Sequence, residues 1–156
     1  MHISRIEGER CSLVPMSEMF LARHVELLQD PDVTRYLRLP VISVDGQRSW
    51  MLRILRSERD ILHAIVVKKD DVHQYVGVAQ LSNIDLRDGT ASGGLVIADK
   101  NYWGQGIGRE ARDLHLRCAF EDLSLRWVYG RTAGGNVRAQ RLMESLGYVR
   151  QGIRPQ

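Results

Sequence analysis

The sequence predicts an α+β (α/β) fold in a single domain, on the strength of three observations. The chain has 156 residues, of which 44% are hydrophobic and 26% are charged, the usual balance for one packed domain. Two segments rich in β-branched and apolar residues, 61–67 and 75–81, flank the polar residues 68–71 and predict a hairpin. An apolar strand, a glycine-rich loop, a helix and a further strand then follow one another between residues 94 and 131.

The segment before the hairpin carries helical patterns. Residues 10–14 predict a first strand, and Ser17 is placed to cap a helix that runs to the break at Asp30-Pro31. A second helical pattern follows Ser43-Val44-Asp45-Gly46 and ends near Asp60. These helices precede the strands that form the predicted sheet.

The second half of the chain continues with a short apolar run at 94–98, which we interpret as a buried central strand, although periodicity alone does not exclude a helix. A helical stripe then runs from Gly108 to Leu123, and residues 126–131 predict another strand. Asn136 is placed to cap the last helix, and Gly147 suits the left-handed position after its end. The apolar side chains of that helix predict a core contact, at Ala139, Leu142, Met143 and Leu146.

Composition argues against several classes of protein. Lys and Arg number 22 and Asp and Glu 19, a net charge of +3 without any run of like charge, which gives no support for nucleic-acid binding. No apolar stretch resembles a secretory signal or is long enough to span a bilayer, so we expect a cytoplasmic protein with no membrane partner. The two cysteines, Cys11 and Cys118, form no CxxC pattern, so we expect no metal and interpret Cys118 as a core residue.

The glycines at 104, 106 and 108 form the strongest chemical signal. A glycine-rich turn that enters a helix offers unobstructed backbone N–H groups and the positive end of the helix dipole, which together suit a phosphate. The N–H groups of Gln105 to Arg109 would face such a ligand, and the Arg109 side chain adds a charge. The alternative is a tight structural turn.

Two familiar phosphate loops fit this segment poorly. The Walker pattern requires Gly-Lys followed by Ser or Thr, which is absent. The dinucleotide fingerprint places its first glycine at the end of the strand, whereas residues 99–103 intervene here after Ala98.

The combination of motifs resembles the GNAT (Gcn5-related N-acetyltransferase) superfamily, whose pyrophosphate loop reads Gln/Arg-x-x-Gly-x-Gly/Ala after an apolar strand. Residues 103–108 fit that frame, with Trp103 in place of the usual Gln or Arg. Residues 102–106 and 30–37 are similar to the ribosomal-protein-alanine acetyltransferase branch, and the segment from Asn136 to Tyr148 resembles the family's C-terminal motif.

The resemblance implies a single N-acetyltransferase domain over residues 1–156, a mixed central sheet with splayed strands flanked by helices, and acetyl-CoA as the acyl donor. The strands at 94–98 and 126–131 would splay apart to admit pantetheine, whose amides the exposed backbone of a strand can bind. The implied cofactor contacts are Leu95, Val96, Ile97, Trp103, Gly104, Gln105, Gly106, Ile107, Gly108, Arg109 and Asn136.

The catalytic groups are the less complete part of this resemblance. Backbone N–H groups near Val96 and Ile97 are candidate donors to the tetrahedral oxyanion. Ser92, or its neighbour Gly93, stands where many relatives carry a glutamate base, and a serine can only orient water. Asn136 lies near the cofactor in the resembling motif, although its role as a helix cap is sufficient alone.

The general acid is also unassigned. Met143 occupies the position of the family's usual tyrosine. Tyr148 and Tyr129 are alternatives, although such tyrosines are more often packing residues. His63 is an alternative base, with a structural role as the simpler interpretation.

Arg35, Tyr36 and Arg38 correspond to the family's acceptor wall. The chain stops soon after Tyr148, where relatives usually continue through another strand, so we expect the usual last strand to be lacking. Either a sheet edge or the acceptor site is then incomplete, or a partner subunit provides the missing wall, which would favour a homodimer.

The function that follows is transfer of an acetyl group to a primary amine, either a protein N-terminus or a small molecule. A non-catalytic acyl-CoA-binding regulatory module is the alternative, and a dinucleotide-binding protein is a third.

Overall fold

The structure, a computed structural model, describes residues 1, 3–37, 39 and 42–154. Within these residues, the centre is a sheet of six strands whose spatial order follows their order along the chain. The strands β1 to β6 span Ile6–Glu7, Ser12–Pro15, Ile61–Lys69, Val72–Asp85, Thr90–Ile97 and Trp127–Gly130. Neighbouring strands pair antiparallel except β5 and β6, which pair parallel. The sheet is therefore mixed, and the predicted fold class is confirmed.

Helices cover both faces of the sheet. The helices α1 to α5 span Leu21–Leu27, Pro31–Thr34, Val44–Leu55, Ile107–Arg117 and Val137–Ser145. On one face, Ile65 and Val67 of β3 pack with Ala111 of α4. On the other, Ala64 and Val66 of β3 pack with Met51 and Ile54 of α3. Alternate residues of β3 thus join two different apolar clusters, because successive side chains in a strand point to opposite faces.

The predicted hairpin is present as β3 and β4. Its turn places Asp70 at φ 50° and Asp71 at φ 60°, the left-handed pair of residues that a two-residue hairpin turn requires. Both strands extend beyond the predicted apolar segments, and β5 begins at Thr90 instead of Gly94. The ladder between β4 and β5 continues through polar pairs such as Ser82 with Ser92, which local composition does not reveal.

Around α5, the structure confirms the predicted cap and the predicted left-handed glycine, and it contradicts the predicted core contact. The Asn136 side chain accepts a hydrogen bond from the N–H of Ala139 at 3.1 Å and so caps α5, and Gly147 adopts φ +86° after its end. The prediction that the apolar stripe of α5 belongs to the core is wrong, because no residue of α5 is fully buried. Met143 of that stripe is half-buried and packs against Gly130 of β6.

The first half of the chain contains further differences. Ser17 makes no side-chain capping bond and precedes a 3₁₀ turn at Glu18–Phe20, so its predicted role as a cap is wrong. Ser43 caps α3 instead, by accepting the N–H of Gly46 at 3.0 Å. The short elements β1 and α2 were not predicted, because two and four residues are too few to show a periodicity.

No helix in the described part of the chain is long and apolar enough to cross a membrane. The same residues contain no group of three or more His, Cys, Asp or Glu side chains that could hold a metal ion. Cys118 is 1% exposed, which confirms it as a core residue.

Candidate functional site

The sheet opens between β5 and β6. Their parallel pairing begins at Thr90 with Trp127 and ends at Gly93 with Gly130. On its other edge, β5 stays paired with β4 as far as Ile97. The stretch 94–97 therefore has a neighbouring strand on only one side, which confirms the predicted splay. We call the space beyond Gly93 and Gly130 the strand gap.

The backbone of β5 offers polar groups to the strand gap at alternate residues. Ala98 donates its N–H to Val76 of β4 at 2.8 Å, so alternation in an antiparallel pair turns Val96 toward β4 as well. Consistently, the Val96 carbonyl oxygen lies directly against Gly77 of β4. Leu95 and Ile97 thus direct their N–H and C=O groups toward the strand gap, and of the three predicted residues Val96 does not.

The glycine loop follows β5 and ends at the start of α4. Gly104 and Gly106 adopt φ +73° and +80°, in the left-handed region that favours glycine. Gly106 is the residue before α4 and has no side chain that could cap the helix. The first intrahelical bond runs from the N–H of Glu110 to the carbonyl oxygen of Gly106, at 3.0 Å. The N–H groups of residues 107–109 are therefore left without an intrahelical acceptor. Such a helix start suits an anion.

Gly108 brings this helix start close to the edge of the strand gap. A Cβ at Gly108 would lie 3.4 Å from the Ile97 side chain and 3.5 Å from that of Leu95. The predicted phosphate site and the predicted pantetheine site are thus adjacent.

Trp103 ties the loop to both walls of the strand gap. Its indole N–H donates to the carbonyl oxygen of Ile97 at 2.8 Å. The Arg138 guanidinium of α5 lies 4.3 Å from the centre of its ring, a cation–π contact. The residue that replaces the family's usual Gln or Arg is therefore held by neighbours on both sides.

Two other predicted loop residues use their side chains within the protein. Gln105 donates its amide to the Asn101 carbonyl at 2.7 Å and braces the loop. Arg109 donates to the Ser145 carbonyl at 3.2 Å, at the C-terminal end of α5, where a cation is favoured by the helix dipole. The structure thus directs the Arg109 side chain to α5, and only its backbone N–H remains at the helix start.

Arg10 is a cation beside the loop that sequence reasoning missed. Its Nε lies 3.3 Å from the position that a Cβ would occupy on Gly106. It lines a cavity of about 760 Å³ together with the side chains of Lys68, Lys69 and Gln105. The two segments are about a hundred residues apart in sequence, so no local pattern signals their contact.

We call the end of the β5–β6 pairing, at Gly93 and Gly130, the vertex of the strand gap. Two polar side chains, Arg112 and Tyr148, lie beneath it on the α4 face. Arg112 is 5% exposed, its guanidinium lies against Gly93, and its Nε and Nη1 have no partner among the described residues. The Tyr148 ring lies against Gly130, and its hydroxyl is buried without a partner in the same part of the chain. Burial raises the pKa of Tyr148, against the opposing effect of the Arg112 charge. At neutral pH the phenol therefore keeps its proton.

Met143, which stands at the position of the family's usual tyrosine, packs beside Tyr148. The Met143 methyl group lies against Gly130 and fills the space below the vertex. A thioether supplies no proton, so this position cannot perform the acid role of the family's tyrosine.

Ser92 and Tyr129 lie side by side on the opposite face. They are paired in the parallel register one residue before the vertex, and Gly93 faces α4, so its neighbour Ser92 faces away from α4. Ser92 is half-buried and Tyr129 is 52% exposed. Both hydroxyl groups thus border the entrance to the strand gap from the face that α4 does not cover.

The predicted acceptor residues lie near the start of α5. Tyr36 donates its hydroxyl to the Gly135 carbonyl at 2.9 Å, next to the capping residue Asn136. Arg35 is exposed and paired with Asp32 at 3.2 Å. Arg38 lies outside the described residues. Tyr36 and Asn136 are therefore brought together at one end of α5, whereas Arg35 points to its own short helix.

His63 is wholly buried two strands away from the strand gap. Its Nδ1 lies 2.9 Å from Nε2 of His115, and its Nε2 lies 3.2 Å from the Ile3 carbonyl oxygen. Burial, together with the neighbouring charges of His63 and Arg112, holds the pKa of His115 well below its ordinary value. These contacts support the structural interpretation of His63.

Comparison with known proteins gives a family match over most of the chain. The model of the Acetyltransferase (GNAT) domain matches residues 10–149. An N-acetyltransferase 9-like protein of Caenorhabditis briggsae is 23% identical over 159 aligned residues, which cover 94% of this chain and 78% of that protein.

Solved structures share the fold. A candidate acetyltransferase from T. thermophilus is 28% identical with a TM-score of 0.82, covering 97% of this chain and 79% of that one. The spermidine N-acetyltransferase from Vibrio cholerae, solved with CoA and spermine, is 19% identical with a TM-score of 0.82, covering 93% and 84% of the two chains.

Proposed function

Because the chain belongs to the GNAT acetyltransferase family, we propose that it transfers an acetyl group from acetyl-CoA to a primary amine by direct attack of the amine on the thioester. The observation that carries the proposal is the position of the strand gap beside an uncapped helix start. Pairing of β5 with β6 ends at Gly93, and the free N–H groups of residues 107–109 follow directly after the loop. A cofactor with amides at one end and phosphates at the other fits this arrangement.

In this proposal the protein binds the cofactor mainly through its backbone. The backbone of Leu95 and the N–H of Ile97 bind the pantetheine amides as an added strand would, because the Ile97 carbonyl accepts from Trp103. Residues 104–108 with the N–H of Arg109 bind the pyrophosphate. One of the N–H groups that β5 directs into the gap donates to the oxyanion formed on the thioester carbonyl. Since Val96 faces β4, we propose that this donor is the N–H of either Leu95 or Ile97.

Proton movements involve the opposite face of the sheet. We assign Ser92 the task of orienting a water molecule that accepts the proton of the attacking amine. Asn136 would border the cofactor with the amide group that its capping bond leaves free. The coenzyme A thiolate then takes a proton from solvent, since Met143 has none to give and the Tyr148 hydroxyl is buried.

The acceptor we propose is a protein N-terminus or a small-molecule amine, approaching past Tyr36 and Arg35. The similarity of residues 30–37 and 102–106 to the ribosomal-protein-alanine acetyltransferases supports an N-terminal amine. The name of the Vibrio cholerae neighbour adds polyamines to the acceptors that should be tested.

An acceptor screen tests this proposal. Purified protein is incubated with acetyl-CoA and a panel of peptide N-termini, polyamines and other small amines, and free thiol is measured. We expect acceptor-dependent thiol release above the rate with acetyl-CoA alone, and mass spectrometry should show the acetylated amine. Tight binding of acetyl-CoA with no transfer to any amine would favour the non-catalytic acyl-CoA-binding module, for which the serine at position 92 and Met143 are the motivation.

We also propose a homodimer. The outer edge of β6 pairs with no other strand in the described residues, and Trp127 of that strand is 62% exposed. An unpaired edge with exposed aromatic side chains suits a second copy. Light scattering at several concentrations tests this, and a monomer with full activity would contradict it. The cytoplasmic location stays a prediction.

A further inference from the structure

Neither residue 103 nor residue 109 supplies a free side-chain cation to the predicted pyrophosphate site. Trp103 replaces the usual Gln or Arg, and its ring lies under Arg138. Arg109 is bound to Ser145. A pyrophosphate carries two negative charges, and backbone N–H groups at one helix start neutralise only part of them. A cation from elsewhere in the fold would add to the charge that these N–H groups supply.

Arg10 is fixed beside that helix start by an unusual backbone anchor. The Glu110 carboxylate, in the first turn of α4, accepts the N–H groups of Glu9, Arg10 and Cys11 at 2.7, 2.8 and 2.9 Å. Burial raises the pKa of Glu110, but these three bonds together hold it below its ordinary value. The carboxylate therefore stays charged, and the turn before β2 is held in register with α4.

The side chain that this anchor positions is available for a ligand. The Arg10 Nε and Cδ lie 3.3 and 3.5 Å from the Cβ position of Gly106, while the guanidinium makes no ion pair with a described residue. The neighbouring cations of the cavity are partly engaged, since Arg23 pairs with Asp99 at 3.1 Å and Lys68 with Asp71 at 3.2 Å. Arg10 is exposed and lies next to the loop at Gly106.

We propose that Arg10 binds the pyrophosphate of coenzyme A and supplies the charge that Trp103 and Arg109 do not. The planar guanidinium donates to oxygen atoms of the phosphates from the side of the loop opposite the strand gap, while residues 107–109 donate from the helix start. This assignment rests on the proposed function.

The test compares Arg10→Gln with Arg56→Gln, which removes the same charge from an exposed position at the end of α3. Calorimetry measures the binding of CoA and of 3′-dephospho-CoA, and ligand-detected NMR measures that of pantetheine, which has no pyrophosphate. We expect Arg10→Gln to lower the affinity for CoA and for 3′-dephospho-CoA by about 10- to 100-fold, and the affinity for pantetheine by less than about twofold. Arg56→Gln should leave all three unchanged, and Arg10→Lys should restore part of the loss.

The outcomes separate the two proposals. Wild-type binding of CoA that Arg10→Gln does not weaken overturns the role of Arg10 and leaves the proposed function standing. A loss with CoA that disappears with 3′-dephospho-CoA also overturns it, because Arg10 would then contact the 3′-phosphate. Failure of the wild-type chain to bind CoA overturns the proposed function and this assignment with it. Near-UV circular dichroism shows whether the Arg10 variants keep the native turn. Glu110→Gln is the comparison, because it weakens the carboxylate anchor that holds this turn.

Discussion

The central strands and the C-terminal wall of the strand gap are built in opposite ways. In β3, the seven consecutive residues Ile61 to Val67 are all buried, on both faces of the sheet. In β6 and α5 no residue is fully buried, and α5 contacts its neighbours through Arg109 with Ser145, Arg138 with Trp103 and the Met143 methyl group with Gly130. Apolar burial thus stabilises the first region, while the second combines polar contacts with half-buried apolar packing beside the strand gap.

The largest expected effect is the loss of stability caused by a cavity in the central strands. Ile65 is completely buried, so Ile65→Ala should lower the free energy of unfolding by about 2–5 kcal/mol. Leu142→Ala, in the half-buried stripe of α5, should cost less than half as much. Urea unfolding of both variants measures the difference, and equal losses would show that α5 belongs to the same core.

The second effect is an acid sensitivity that arises from two buried histidines outside the C-terminal wall, His24 of α1 and His115 of α4. Burial lowers the pKa of His24 and of His115, so the folded protein binds fewer protons than the unfolded chain, whose histidines titrate at about 6.5. Stability should therefore fall as the pH drops below about 6.5, by about 1.4 kcal/mol per pH unit for each proton that only the unfolded chain binds.

Urea unfolding between pH 7.5 and 5 measures this slope. His73→Asn is the matched control, because His73 is exposed and its removal should leave the slope unchanged. A stability that is flat over this range would contradict the buried neutral histidines.

A smaller effect concerns the loop at the start of α4. Gly106 has φ +80°, so Gly106→Ala should cost about 1–2 kcal/mol and weaken CoA binding, since a Cβ would also approach Arg10. Gly134→Ala, where a Cβ meets nothing within 4 Å, is the control and should change neither quantity. Calorimetry and thermal unfolding test the pair, and unchanged CoA affinity in Gly106→Ala would remove the loop from the proposed cofactor site.

The smallest effect should come from the contact that crosses the two regions. Trp103→Phe keeps a ring beneath Arg138 and removes the hydrogen bond to the Ile97 carbonyl, which should lower stability by about 0.5–1.5 kcal/mol. Because that carbonyl is then free for a pantetheine amide, CoA affinity should rise severalfold. Calorimetry measures the CoA affinity of Trp103→Phe. A lower affinity than that of the wild type would show that the indole itself binds the cofactor.

Sequence patterns predicted the parts of the fold whose signals are local. The hairpin around Asp70 and Asp71, the cap at Asn136 and the glycine loop were all predicted from neighbouring residues, and all are present. The start of β5 was placed four residues late, because its first residues are polar and are held by the ladder with β4.

The parts of the site that were missed depend on distant contacts. Arg10 reaches the loop because Glu110 holds its backbone, and Arg109 leaves the helix start because Ser145 is near it. The direction of Val96 depends on its pairing with β4, which fixes the alternation of the backbone groups. Each of these follows from a tertiary contact that spacing in the chain does not encode.

The parallel pairing of β5 and β6 also sets an order of events in folding. The hairpin of β3 and β4 closes through two residues, an event that takes about 1–10 μs in general. A parallel pair must wait for its crossover, here residues 98–126 with α4 inside them, before the second strand can dock. We therefore expect the strand gap to assemble after the β3–β4 hairpin, so that a chain leaving the ribosome acquires its proposed cofactor site only after β6 has been made.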